Sequence, residues 1–197
     1  MTDHKPLRAD ARRNRDALVT GARLAFDRGD ANLRFDDFAA LAGVGVGTLY
    51  RHFPTREALA AAVYQGEVEA MCRRARALAA ERSAGEALAT FLLDFVEYVI
   101  AHSALARTLT ALIGDRDDVR ADRSETLERM IGELMVAATS DGSIRADVNI
   151  GAVMIVLHGI GSAAGRDDWP AASKDAVTLL VDGLKASGAV SDGTCSA

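Results

Sequence analysis

The chain has 197 residues, which is enough for one large domain or for a small domain joined to a medium one. A chain of this length can bury a core without disulfides or a structural metal. Hydrophobic residues make up 49% of it and aromatic residues 5%, there are 3 prolines, and the strong helix formers Ala, Leu, Arg and Glu dominate. No stretch shows the sustained alternation of β-branched residues that marks strands. These features favour an all-α fold.

The cysteines and the lack of long apolar runs bear on the compartment. Cys72 and Cys195 stand far apart and belong to no CxxC or Cys/His spacing. We therefore expect a reduced, cytoplasmic protein with no bound metal or cofactor. No apolar run is long enough to cross a bilayer, and the polar start MTDHKPLRADARRNR is unlike a signal peptide, so no membrane association is expected.

Charge is distributed unevenly along the chain. The net charge is −5, but residues 1–53 carry nine basic and seven acidic side chains, a charge of +2. Residues 54–197 carry 14 basic and 21 acidic side chains, a charge of −7. A modest basic excess at one end agrees with DNA binding there and equally with an exposed helical face, so charge alone does not decide.

Helical periodicity and terminator residues divide the chain into about nine helices. Gly29 and Gly43 end the first two helices, Pro54 ends the third, and Thr55 is placed to cap the fourth. The predicted helices cover residues 8–28, 36–42, 46–53, 56–82, 84–102, 105–113, 124–139, 149–164 and 172–187. The tail from residue 188 is small and polar, and we expect it to be flexible.

Residues 36–53 carry the most informative pattern. Two short helices meet at Gly43, which supplies the positive φ of a tight turn, and this arrangement is typical of a helix-turn-helix unit. Asp36 and Asp37 stand in the first turn of the earlier helix, where the helix dipole favours acids. The residues expected to point inward are Phe38, Val44, Leu49 and Phe53. The residues left on the outer face are Gly45, Val46, Thr48, Tyr50, Arg51 and His52. A helix presenting Thr, Tyr, Arg and His can bond phosphates and reach base edges in a major groove.

The run AGVGVGTLYRHFPTREAL, residues 42–59, closely resembles the signature of the tetracycline-repressor (TetR) family of transcriptional regulators. The resemblance is specific over about residues 10–65 and rests on helix number and length beyond them. It implies a helix-turn-helix DNA-binding domain at 1–54, a helical ligand-binding and dimerisation domain at 55–187, and a flexible tail at 188–197. It also implies a homodimeric repressor that binds a palindromic double-stranded DNA operator.

The resemblance assigns roles to individual residues. It implies that Tyr50 and His52 bond phosphates and that Thr48 lies at the DNA backbone. Arg56 replaces the usual Lys at the start of the fourth helix. The positions that the family reads against bases fall here on Gly45, Val46, Gly47 and Arg51.

Two positions depart from the family pattern. Gly45 stands where Ser is usual, and Arg34 stands where a Thr commonly caps the second helix. Arg34 is therefore a candidate DNA-backbone contact, with the capping role passing to another residue. Arg12 and Arg13 are assigned to the neighbourhood of the DNA and Arg15 to the helix surface.

The helix pattern by itself leaves rival functions open. A helix pair with a glycine turn is common in α-bundles, so the unit could be a structural part of a ligand-binding or enzymatic bundle. No Ser/His/Asp order, P-loop or glycine-rich phosphate cradle is present, which favours a protein that is not an enzyme. An activator and a nucleoid-associated protein are further alternatives.

The C-terminal helices predict one mainly apolar pocket per subunit for a small-molecule inducer. The helix at 84–102 is apolar on two faces, more than a single core contact needs, and methionines adapt to irregular partners. The expected polar lining is Tyr98, His102 and His158, which lack metal-ligand spacing. The expected apolar walls are Phe91, Phe95, Leu109, Met130, Leu134 and Met154. Such a pocket suits an apolar or aromatic molecule, and a solid core without a cavity is the alternative.

The last two helices predict a homodimer. Residues 149–164 combine small residues with large apolar ones, and residues 172–187 add an apolar seam of the kind found in homodimer cores. The seam residues are Val177, Leu180, Val181 and Leu184. The family resemblance implies a two-fold symmetric four-helix bundle, whereas the alternative is that both helices only complete the monomer core.

Overall fold

The structure is a computed structural model that describes residues 5–30, 33–113 and 117–186. Within these ranges it contains nine α-helices and no strand, which confirms the all-α prediction. The helices are α1 (Lys5–Asp27), α2 (Asp37–Leu41), α3 (Val46–His52), α4 (Arg56–Glu81), α5 (Ala84–Ala101), α6 (Ser103–Ile113), α7 (Asp117–Ser140), α8 (Ile150–Ser162) and α9 (Trp169–Leu184). The tail predicted at 188–197 lies outside the described residues.

The helices end where the sequence places terminators. Gly29 follows α1 with φ 79° and Gly43 follows α2 with φ 66°, a left-handed conformation that glycine adopts without a steric penalty. Thr55 precedes α4, and its Oγ1 accepts a hydrogen bond from the backbone N–H of Ala58 at 3.2 Å. The predicted cap of α4 is therefore confirmed.

One boundary differs because of a proline. The sequence prediction began the last helix at residue 172 and treated the preceding Pro170 as part of a loop, whereas α9 begins at Trp169. Proline lacks the backbone N–H that the first turn of a helix leaves unpaired, so it suits that turn. Trp169 is buried, and its indole Nε1–H donates to the carbonyl oxygen of Ile160 at 2.6 Å, which ties the start of α9 to α8.

The chain forms two compact units. Of the described residues, those within 1–70 and 101–126 form the N-terminal unit, and those within 71–100 and 127–197 form the C-terminal unit. The described core of the N-terminal unit contains residues of α1 to α4 and, from α6, Leu105, Leu109 and Ile113. The predicted domains 1–54 and 55–187 divide the chain differently, since the sequence prediction assigned α6 to the C-terminal region.

The C-terminal unit buries apolar side chains of α5, α7, α8 and α9. The residues after α9 are joined to the α7–α8 connection, because the backbone N–H of Arg145 donates to the carbonyl of Leu184 and that of Ala186 donates to Ser143. Ile144 and Lys185 form an isolated antiparallel bridge there. Among the described helices, none by itself combines the length and apolar character needed to cross a membrane, although α5 and α6 together meet that length and composition.

Candidate nucleic-acid interface

The helix-turn-helix is held by a small aromatic core. Phe38 of α2 and Leu49 of α3 are fully buried, and the Phe38 ring meets that of Phe26 edge-on with centroids 5.3 Å apart. Phe53, after α3, is buried, and Val44 in the turn is partly buried against the same core. The inward orientation predicted for these residues is confirmed. Since two large side chains anchor α2 and α3 to α1, the outer face of α3 is presented in a fixed orientation.

The structure leaves the predicted DNA-contacting face accessible. Gly45, Val46, Gly47, Tyr50 and Arg51 are exposed. Thr48, His52 and Arg56 are partly buried, and Arg34 is exposed before α2. A β-carbon added at either glycine of this face would meet open space, so the backbone itself is accessible there. The exposed residues of α3, Val46, Gly47, Tyr50 and Arg51, therefore leave this helix accessible.

Tyr50 has a contact that the sequence did not reveal. Its hydroxyl donates to Oδ1 of Asp36 at 3.0 Å, and its ring meets the ring of Phe35 edge-on with centroids 5.3 Å apart. The hydrogen bond to the carboxylate raises the pKa of the Tyr50 hydroxyl. Asp36 was interpreted from the sequence only as a charge that favours the start of α2. Asp36 directly precedes α2 and lies 14 residues before Tyr50 on α3, so the only signal in the sequence is an acid at the start of the helix before the one that carries the phenol.

A side-chain hydrogen bond closes the turn that precedes α2. Oδ2 of Asp37 accepts a hydrogen bond from the backbone N–H of Arg34 at 2.9 Å, and the side chain of Asp36, at the N-cap position, makes no capping hydrogen bond. The Arg34 N–H lies outside α2, whose first N–H groups donate to backbone carbonyls, so the structure shows no side chain in the capping role that was expected to pass from Arg34 to another residue. The exposed Arg34 side chain is compatible with a contact to the DNA backbone.

Two arginines lie over aromatic rings of the helix-turn-helix core. The guanidinium carbon of Arg56 lies 5.6 Å from the centroid of the Phe38 ring, and that of Arg15 lies 5.5 Å from the centroid of Phe53. Arg15, which the sequence placed only on the helix surface, thus lies beside the end of α3. Arg12 and Arg13 are exposed on α1, and Arg13 pairs with Asp10.

The predicted ligand residues fall into both units. In the C-terminal unit, Phe91 is buried with its ring 6.3 Å from that of the partly buried Phe95. Tyr98 is partly buried, whereas His158 is exposed on α8. The three further apolar residues predicted there are buried, namely Met130, Leu134 and Met154. This unit therefore brings one aromatic pair together and leaves one predicted polar residue at its surface.

The other two predicted ligand residues belong to the N-terminal unit. Leu109 lies in its core, and the ring nitrogen Nδ1 of His102 lies 2.9 Å from a carboxylate oxygen of Asp27. Thr108 donates to the carbonyl oxygen of Phe26 at 3.4 Å. These three contacts attach α6 to the end of α1.

A cavity of about 270 Å³ lies within the C-terminal unit, at the start of α5 and the end of α9. Its apolar walls are Leu88, Ala89, Leu92, Ile144, Val181 and Leu184. None of the nine predicted ligand residues lines it. Within the part of the chain that the structure describes, no group of three His, Cys, Asp or Glu residues is arranged to hold a metal ion.

Comparison with known proteins matches both the N-terminal and the C-terminal part of the chain to transcriptional regulators. Residues 17–63 match the family described as bacterial regulatory proteins, tetR family, and residues 83–186 match the C-terminal domain of SbtR-like transcriptional regulators. A TetR transcription regulatory protein from Mycobacterium vanbaalenii shares 34% sequence identity with a TM-score of 0.72, over 91% of this chain and 99% of that chain.

Two further relatives are more distant or shorter in overlap. RolR, solved in complex with the ligand resorcinol, has a TM-score of 0.62 and 22% identity over 90% of this chain and 91% of that chain, which shows a shared fold. An HTH-type transcriptional regulator from Staphylococcus aureus (strain MRSA252) is 35% identical over 66 residues. That match covers 32% of this chain and 35% of the curated relative.

The all-helical fold and the accessible face of α3 define a helix-turn-helix transcription factor. The chain belongs to the TetR family of transcriptional regulators. It is accordingly a DNA-binding regulator and not an enzyme.

Proposed function

We propose that this regulator is a repressor that releases a palindromic operator when a small apolar or aromatic molecule binds its C-terminal helices. The observation that carries the proposal is the accessible face of α3, fixed from behind by buried Phe38 and Leu49. Such a rigid helix with exposed polar side chains suits a major groove. The protein acts in the cytoplasm, where the DNA of a bacterial cell lies.

The proposed interface has two kinds of contact: contacts to phosphates, which position the protein on the DNA, and contacts to base edges, which recognise the sequence. Tyr50 and His52 donate hydrogen bonds to phosphates, and Thr48 lies at the DNA backbone. Arg51 reads base edges, since an exposed guanidinium is the commonest donor to guanine in the major groove. Arg34 contributes a backbone contact. The further members of the interface are Gly45, Val46, Gly47 and Arg56.

The proposed inducer is a small molecule with few hydrogen-bonding groups. The shared fold of RolR, which binds resorcinol, supports an aromatic ligand. The proposed pocket keeps only the predicted members that are buried or partly buried in the C-terminal unit, namely Phe91, Phe95, Tyr98, Met130, Leu134 and Met154. The buried methionines of the C-terminal unit, Met130 and Met154, support a pocket that adapts to its ligand.

We place the dimer interface on α8 and α9. These helices pack on each other within the C-terminal unit, and each leaves one large aliphatic side chain exposed, Ile155 on α8 and Leu179 on α9. Covering such side chains is the usual source of stability in a homodimer. A two-fold axis would also match a palindromic operator, whose half-sites lie about 34–36 Å apart on one face of the DNA.

Induction then requires that the ligand bind one arrangement of the protein more tightly than another. α4 extends through both units, because the division between them falls after residue 70. A displacement of α4 would carry the helix-turn-helix with it and move the two recognition helices out of register with successive major grooves.

A mobility-shift assay with the DNA upstream of the protein's own gene tests the proposal. We expect a specific complex that a suitable aromatic ligand dissolves. Tyr50→Phe should weaken binding to this DNA and to random DNA alike, whereas Arg51→Ala should change the preference among operator variants by about 1–3 kcal/mol at one position. Unchanged DNA affinity of Tyr50→Phe across a salt titration would contradict the phosphate role.

A further inference from the structure

The hydroxyl group of Tyr50 is already engaged in this structure. It donates to Oδ1 of Asp36 at 3.0 Å, although the Tyr50 side chain lies at the surface with 48% of the residue exposed. The ring is oriented separately, by its edge-on contact with Phe35. The hydroxyl proton and the ring position are therefore set by two different neighbours.

A phenol has one proton to donate, and the phosphate oxygens of DNA only accept hydrogen bonds. The proton that Asp36 receives cannot at the same time be given to a phosphate. A carboxylate beside a phosphate site also repels the phosphate charge. Both effects oppose a phosphate contact by Tyr50. Both are weakened when an amide replaces the carboxylate, because the amide carries no charge and its oxygen is a weaker acceptor for the phenol proton.

The Asp36 side chain makes no hydrogen bond to the start of α2. The first N–H groups of α2, those of Asp37, Phe38 and Ala39, donate to backbone carbonyls instead. Replacing the Asp36 carboxylate by an amide should therefore leave the start of α2 intact. The ring contact with Phe35 should keep Tyr50 in place.

We infer that Asp36 is a positioning residue that withholds the Tyr50 hydroxyl from phosphate and thereby lowers the affinity for DNA irrespective of base sequence. The inference rests on the proposed function, in which Tyr50 is a phosphate donor. Asp36 then helps to set the affinity of this regulator for the DNA backbone. When DNA binds, the Tyr50 hydroxyl changes its hydrogen-bond acceptor from Asp36 to a phosphate oxygen.

The test is a double-mutant cycle with the full-length chain and a fluorescent duplex of mixed sequence. The variants are Asp36→Asn, Tyr50→Phe and the double variant, and Asp16→Asn removes the same charge from an exposed position of α1 in the same unit. Fluorescence anisotropy at constant salt gives each affinity. We expect Asp36→Asn to bind about fivefold more tightly, because it removes the negative charge and weakens the hydrogen bond that holds the Tyr50 proton. Asp16→Asn should change the affinity by less than about twofold, since exposed charges are screened.

The cycle separates the inference from the proposed function on which it rests. We expect Tyr50→Phe to weaken binding about fivefold more in the Asp36→Asn background than in the wild type. An equal loss in both backgrounds would overturn the inference while the phosphate role of Tyr50 stands. No loss in either background would overturn the phosphate role, and the inference with it.

A spectroscopic readout tests the contact without DNA. The pKa of the Tyr50 hydroxyl is raised because it donates to Asp36, so Asp36→Asn should lower that pKa. Titration of tyrosine Cζ shifts by carbon-13 NMR, with the Tyr50 signal assigned from Tyr50→Phe, measures the change. An unchanged Tyr50 titration in Asp36→Asn would show that the hydrogen bond is absent in solution and would overturn the inference.

Discussion

Glutamate at two exposed positions of α8 and α9 should separate the proposed homodimer into folded monomers. Ile155 and Leu179 are each 73% exposed, whereas Val177 and Leu184 of the predicted seam are buried within the C-terminal unit at 1% and 3% exposure. The sequence predicted the interface on residues 149–164 and 172–187, with Val177, Leu180, Val181 and Leu184 as the apolar seam. The structure shows that Leu184 belongs to the interior of the unit, so the variants that test the interface are Ile155→Glu and Leu179→Glu.

The exposed fractions set the expected size of the effect. Fully burying an Ile or Leu side chain contributes about 1.5–3 kcal/mol, so covering the exposed 73% of each contributes about 1–2 kcal/mol. A two-fold axis presents each position twice, so the double variant loses the burial of four side chains, about 4–8 kcal/mol in all. The dissociation constant of the dimer should then rise by about 10³ to 10⁶.

Sedimentation velocity over a range of protein concentrations measures the dissociation, with circular dichroism as the check on folding. Val136→Glu is the matched control, because Val136 is a 67% exposed aliphatic residue on α7, and this variant should stay dimeric. Leu184→Glu should lose helicity, since it places a charge in the core. A double variant of Ile155 and Leu179 that sediments as a dimer with full helicity would refute the placement of the interface.

Two further predictions concern the C-terminal unit. Gly85→Ala should destabilise the fold by about 1–3 kcal/mol in thermal unfolding, because its new β-carbon would lie 2.4 Å from the Cβ of Ser143. The matched change Gly132→Ala, on α7 with open space around it, should instead stabilise by up to about 1 kcal/mol, and a similar loss at both sites would contradict the steric argument. Hydrogen bonds from the side chain and backbone of Ser83 lower the pKa of Glu86, so its stabilising contribution is present above the ordinary pKa of Glu and is lost as the pH falls through the lowered value. Glu86→Gln should therefore differ from wild type in melting temperature at about pH 6. The difference should shrink as the pH falls below the ordinary pKa of Glu, and a pH-independent difference would contradict the assignment.

The parts of the fold that the sequence predicted depend on local signals. The positive φ of Gly43 and the cap at Thr55 are decided by residues within one turn of the position concerned. The burial of Phe38 and Leu49 follows from apolar spacing on short helices. The helix-turn-helix could be located because its fold is encoded almost entirely within such short distances along the chain.

The parts that the sequence did not predict depend on which helices meet. Apolar spacing shows that Leu109 is buried but not that α6 packs in the core of the N-terminal unit. The same limit applies to the pair of Asp36 and Tyr50, whose side chains belong to different helical segments. The sequence shows two apolar faces on α5, yet Leu93 remains exposed. Periodicity counts apolar residues and does not count the neighbours available to cover them.

The chain crosses between the two units inside continuous helices, which bears on how the binding of a ligand changes the binding of DNA on the proposed function. The chain passes between the units after residues 70, 100 and 126, and the first and third of these crossings lie inside the continuous helices α4 and α7. A hydrogen-bonded helix carries displacement along its axis, whereas a flexible linker would absorb it. The second crossing leads directly to His102, which lies 2.9 Å from Asp27 at the end of α1. On the proposed function, α4 is the segment that carries ligand-induced movement, because it runs without interruption from the C-terminal unit to the residue that follows the helix-turn-helix.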